Sequence, residues 1–255
     1  MVFPLFSQAA PAAEPELEAL RRPVAGNLPD RAETEAAPVR DLAMREAAMG
    51  AGVQAGARWR YEKILTEVVL PNAYILDDIF DFGPLVFRKG RLYVIPPVIT
   101  SSGEAVRVDS ELSAVSQSQS FKLIRGARIA SVIPHWRHYL MELPDGPQGF
   151  HSTLLPDSSS ELGRWRGWVD KGWETGVRRA DELFEENVAA LARDYAGMMI
   201  FRRLLAESLV AGPVTEESFD SVEISGDEIV FERRLYRLTE TGRFIGLGQR
   251  KGSRP

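Results

Sequence analysis

Residues 157–213 constrain the fold more than any other stretch. Ser158 is followed three residues on by Glu161, just after Pro156, which is the pattern of a capping box at a helix start. The stretch closes on Gly212-Pro213, a pair that stops helices. No proline interrupts it, and apolar residues recur at helical spacing, among them Trp165, Val169, Trp173, Val177, Phe184, Leu191, Tyr195 and Leu205. About fifty helical residues would span roughly 75 Å, more than a small domain. The spacing therefore predicts two helices or one kinked helix. The breaks fall at Gly172, Gly176 or Gly197, where helix stability is weakest.

Three of the five tryptophans lie on this element, at Trp165, Trp168 and Trp173. They span more of the helix circumference than one buried stripe covers. Two readings stand: the rings fill the domain's own core, or they form a surface that a partner covers. Trp165, in the first turn, is the first candidate for association, with Trp168 and Trp136 beside it.

A second small-residue signature precedes this one. The run from Pro38 to Pro71 predicts a helix, with Pro38 in its first turn and Asp41 near the positive dipole end. Gly52 and Gly56 lie four apart on it. Each costs a helix about 1 kcal/mol against alanine, which close approach of another backbone would offset. The natural neighbour is the long helix, with Gly163, Gly167, Gly172 and Gly176, in the same chain or in another subunit.

Before it, residues 1–37 are rich in Ala, Pro and Glu, with prolines at 4, 11, 15, 23 and 29, and read as a flexible N-terminal arm without packed structure. Leu5-Phe6 running into a string of alanines resembles the tail of a signal peptide, yet no Lys or Arg precedes Arg21. After Pro71 comes a short element, AYILDDIFDFGPLVF. Then the character turns to strands: residues 91–99, an edge strand broken by Pro96-Pro97, then residues 105–108 and 121–133. Residues 222–239 read as a hairpin turning at Ser225-Gly226-Asp227. The expected fold class is α+β, a small antiparallel sheet packed against the long helices, over residues 38–245 as one domain, with residues 246–255 a disordered tail.

Composition excludes some classes. At 255 residues, with 44% hydrophobic and 26% charged residues, the chain needs no staples to bury a core. It has no cysteine, so neither disulfides nor thiolate metal sites contribute. A net charge of -5 disfavours bulk phosphate binding, and no nucleic acid partner is expected.

Catalytic equipment is not legible. His135 and His138 could face one way on a helix, but a zinc site needs a third ligand, and His151 follows a Pro/Gly loop. Asp77, Asp78 and Asp81 lack the glycine and terminal Glu of a calcium loop. Asp181, Glu182, Glu185 and Glu186 read as a solvated helix face. The pattern contains no phosphate-binding glycine loop and no Gly-x-Ser-x-Gly elbow. No catalytic, cofactor or metal residue is assigned, and the chain is expected not to be an enzyme. The alternative from another class is a periplasmic envelope hydrolase using paired carboxylates.

Six blocks, in order, resemble the DotC family of Dot/Icm type IV secretion systems and related conjugative systems. They are REAAMGAGVQAGARWRYEKI (45–64), LDDIFDF (76–82), VIPPVI (94–99), IPHWRHYLM (133–141), the Trp/Gly helix with its RDYAGMMIFRRLL ending (154–206), and ISGDEIVFERRLYRLT (224–239). The resemblance covers about residues 40–240. It implies a non-enzymatic scaffold on the periplasmic face of the outer membrane of a Gram-negative bacterium, in a ring-shaped core complex of repeated copies. It also implies a DotD-like lipoprotein and a DotH-like channel subunit as partners. The family is anchored through an acylated cysteine after a signal peptide. This chain as written has none, so the expectation is a lipobox upstream of Met1, its removal, or attachment through partners.

Overall fold

The computed structural model describes residues 15–23, 37–102, 107–110, 113–115, 120–149, 152–219, 224–225, 228–229 and 234–245. They fall into two compact units, one within Met1–Ala73 and Leu140–Asn187, the other within Tyr74–Tyr139 and Val188–Pro255. The class is α+β, with long helices and antiparallel strand pairs. No described helix is long and apolar enough to cross a membrane.

The first unit is helical. Helix α1 (Pro15–Arg21) lies within the stretch expected to be an unpacked arm. That expectation fails here for a physical reason. Pro15 opens the helix, Glu16 and Glu18 sit at its positive end, and Arg21 sits at its last turn. Leu17 is 7% exposed and packs with Trp165, Val169 and Met44. The rest of residues 1–36, and the tail at 246–255, lie outside the described residues. Helix α2 (Ala37–Ile64) runs on through a π-helical turn, Leu65–Val69, and a 3-10 turn, Leu70–Asn72, into α3 (Ala73–Ile79). The change of pitch brackets Pro71, which has no N–H to give the α-helical ladder.

The long helix α5 (Ser159–Ala206), preceded by the short α4 (Arg137–Leu140), is continuous over 48 residues, and the expected break does not occur. Its start follows the capping pattern: the Glu161 N–H donates to Ser158 Oγ at 3.2 Å, and the Asp157 N–H donates to Glu161 Oε2 at 2.9 Å. Its end lies short of Gly212. Ser208 takes φ +58, its N–H donates to the Leu205 carbonyl, and the Leu209 N–H reaches back to the Leu204 carbonyl, a Schellman turn with serine in the glycine position.

The glycines expected to weaken α5 are where other backbone comes close. A Cβ on Gly176 would sit 2.7 Å from the Ala57 nitrogen, and one on Gly197 would sit 3.0 Å from the Ile99 carbonyl. Close packing offsets the helix cost of each glycine. By contrast, Gly163 and Gly167 face open space.

The second unit carries the strands. β1 (Phe87–Lys89), β2 (Leu92–Ile95) and β7 (Arg128–Ala130) form a three-stranded antiparallel sheet in the order β1-β2-β7. Pro96-Pro97 separates β2 from β3 (Val98–Ser102), because two residues without N–H cannot continue a ladder. β3 pairs with β6 (Ser120–Arg125), and β4 (Arg107–Ser110) with β5 (Ser113–Val115). The expected single sheet is thus several small ones. The hairpin predicted over residues 222–239 is also divided. β10 (Ile224–Ser225) pairs with β11 (Glu228–Ile229), whereas β12 (Arg234–Glu240) pairs with β9 (Val214–Phe219). β8 (Val210–Ala211) meets β13 (Arg243–Phe244).

Candidate interaction surface

Helices α2 and α5 run parallel in the first unit. Arg40 ion-pairs with Glu161, Arg60 Nε with Asp181 at 2.8 Å, and the Asn187 amide donates to the Tyr61 hydroxyl at 3.0 Å. Between these ties Gly52 and Gly56 face α5 directly. A Cβ on Gly56 would lie 2.6 Å from the Trp173 carbonyl oxygen, and one on Gly52 would lie 2.9 Å from the Trp173 nitrogen. The neighbour of this glycine pair is therefore a helix of the same chain.

The tryptophans divide by the cover each receives. Trp165 is 0% exposed, and its indole N–H donates to the Leu20 carbonyl at 2.9 Å. Its placement as a candidate for association is corrected: the first turn of α5 is not an open end, because α1 lies over it. Trp168 is half-buried against the same cluster, with the Arg164 guanidinium 5.9 Å from its ring centre. Trp173 is 4% exposed and tilts against Trp59 at 5.4 Å. Trp136, in the second unit, is also 0% exposed and so presents no free ring to a partner. Of the three candidates only Trp168 keeps accessible surface.

Around Trp136 the second unit assembles three of the blocks singled out in the sequence. The indole N–H donates to Asp77 Oδ1 on α3 at 2.7 Å. The Arg137 guanidinium forks onto the same carboxylate, Nη1 to Oδ1 at 2.8 Å and Nη2 to Oδ2 at 3.4 Å. Arg137 and then Trp136 hold the Asp77 carboxyl below the usual carboxylate range. Behind them, Tyr195 packs edge-on against Phe80 at 5.4 Å and Phe82 at 5.1 Å. Asp194, 1% exposed, accepts from Arg125 Nη1 at 2.7 Å and from the Tyr139 hydroxyl at 2.9 Å, both on Oδ2. Burial and the neighbouring Asp194 charge push Tyr139 up to about 12, which rules it out as a base at neutral pH.

The histidines serve the local backbone. His135 Nδ1 accepts the Arg137 N–H at 3.2 Å, and His138 Nδ1 accepts the His135 N–H at 3.0 Å. His151 lies outside the described residues. Among the described residues no group of His, Asp or Glu is arranged to hold a metal. Residues such as Ile99, Phe201, Val210 and Phe244 line a shallow apolar dimple.

Exposed apolar surface lies elsewhere, at residues the sequence reading passed over. On α3, Tyr74 is 72% and Ile79 47% exposed; on α2, Val39 is 74% and Leu42 55% exposed. The i, i+4 pair Ile75 and Ile79, with Asp77 and Asp78 between them, is the signal that could have marked α3 as a helix with an uncovered face.

Comparison with curated proteins finds no match. A family model described as type IV secretory system, conjugal DNA-protein transfer, matches residues 38–247. That span takes in α2, both glycine contacts, the Asp77 and Asp194 networks and all the strands, and the chain belongs to this family of type IV secretion and conjugal transfer components.

Proposed function

We propose that the chain is a non-enzymatic structural subunit of the outer-membrane core complex of a Dot/Icm-like type IV secretion or conjugation system, on the periplasmic face of a Gram-negative outer membrane. In this reading it is a DotC-like protein. Copies of it sit in a ring, and it works with a DotD-like lipoprotein to place a DotH-like channel subunit at that membrane. Membrane attachment runs through an acyl anchor or through the partners. The reading is carried by the resemblance of the six blocks to DotC; it is supported by the family match over residues 38–247 and, within the second unit, by the hydrogen bonds that engage Asp77, Asp194 and Tyr139 in packing. A tagged chain recovered from an outer-membrane extract should bring down a second lipoprotein and a channel subunit in fixed ratio. Recovery of the chain alone, in the cytoplasmic fraction, would overturn the proposal.

A further inference from the structure

The ring of His135 is held by three groups from two residues of the second unit. Its Nδ1 accepts the Arg137 backbone N–H at 3.2 Å, which leaves the proton of the neutral ring on Nε2, 3.3 Å from Asp77 Oδ1. Arg137 Nη1 is 3.0 Å from Nε2 and 3.4 Å from Nδ1. An atom so nearly equidistant from both ring nitrogens lies over the ring face, so Nη1 sets positive charge against the face of the imidazole and is not bonded in the plane of a lone pair. The same guanidinium lies over the Trp136 indole, Cζ 4.3 Å from its centre, while that indole is 0% exposed.

We propose that His135 is a proton-operated latch: the neutral ring holds Arg137 over Trp136 and onto Asp77 of α3, and protonation releases Arg137 and uncovers the indole.

A proton on Nδ1 removes the acceptor for the Arg137 N–H and sets an imidazolium face against a guanidinium. Asp77 pulls the other way, since a carboxylate favours the charged ring. That carboxylate already accepts from Trp136 and Arg137. Burial first, and then the Arg137 charge, outweigh it and hold His135 below the ordinary histidine value of 6.5. The sign follows. The latched state favours the neutral ring, so the latch is shut above 6.5 and opens as pH falls through the lowered His135 value. Asp77 stays ionised over that window. His138 is the control position, because its Nδ1 accepts the His135 N–H.

The test follows the Trp136 indole N–H in the 15N-labelled full chain as pH is lowered from about 8 to about 5, its resonance assigned with Trp136→Phe. The expected result is a shift with a midpoint below 6.5 and a fall of about ten-fold or more in the protection of that proton, taken against its intrinsic exchange rate at each pH. Both should vanish in His135→Phe, whose ring stacks but cannot titrate, and persist in His138→Phe. His135→Gln serves as the second non-titrating variant should the phenylalanine variant fold poorly. An indole unchanged over the range, a transition that survives at a non-titrating residue 135, or one lost only with His138→Phe would overturn the latch.

Discussion

In the first unit helices meet backbone to backbone; in the second, charged and aromatic side chains make the joins. Gly52, Gly56, Gly172 and Gly176 remove the side chains that would hold α2 and α5 apart, and large rings such as Trp165 and Trp173 fill the space around that close contact. The second unit has no such glycine seam between two helices among its described residues. Its α5 segment is tied to β6 and α4 by the Asp194–Arg125–Tyr139 group, and α3 is tied to the start of α4 by the Asp77–Trp136–Arg137 group. One helix therefore serves two packing chemistries. The first is sensitive to volume and the second to charge.

The largest effect is expected from volume in the first unit. Trp165→Ala should cost about 3–5 kcal/mol of folding stability, by urea unfolding, because the ring is fully buried and its N–H bonded. Trp168→Ala, half-buried, should cost distinctly less. Equal losses would mean that α1 does not cover Trp165 in solution.

Charge in the second unit comes next. Asp194→Ala leaves the Tyr139 hydroxyl and Arg125 without their acceptor. Breaking a fully buried pair costs about 3–5 kcal/mol. Arg125 is 41% exposed and regains water, so about 2–3 kcal/mol is expected. Hydrogen exchange should rise mainly in Tyr74–Tyr139 and Val188–Pro255. A loss spread evenly over both units would erase the distinction.

Gly56→Leu should cost about 1–3 kcal/mol, as α2 and α5 are forced apart. Gly163→Leu, facing open space, should cost nothing and gain up to about 1 kcal/mol of helix propensity. If Gly56→Leu melts like the parent, the seam is not close-packed.

The smallest effect is a pH slope. Tyr139 is pushed up to about 12, so its contribution is intact below the ordinary tyrosine value of 10 and is lost as pH rises through the folded value. Tyr139→Phe should flatten the fall in stability between those two values. An unchanged slope in that variant would assign the fall to other groups.

How much of this was legible in the sequence depends on range. The Ser158–Glu161 start of α5 was, because a cap is local chemistry. Its end was not, since Ser208 takes a conformation that serine rarely signals. The glycine spacing on α2 was visible, but which chain supplies the neighbour is a tertiary fact. Trp165 was misplaced because its cover comes from α1, a seven-residue helix in a proline-rich stretch. Asp77 and Trp136 are 59 residues apart, and nothing in either block names the other.

The central claim is that the chain acts through its fold and contacts, not through chemistry at its carboxylates. The most direct test measures substrate transfer by the secretion system in cells that carry Asp77→Asn, Asp194→Ala or Gly56→Leu in place of the parent chain, against the amount of folded, assembled protein in each. The account predicts a single relation in which transfer falls only as folded protein falls, whichever residue is changed. Loss of transfer in Asp77→Asn at parental levels of folded and assembled protein would contradict it.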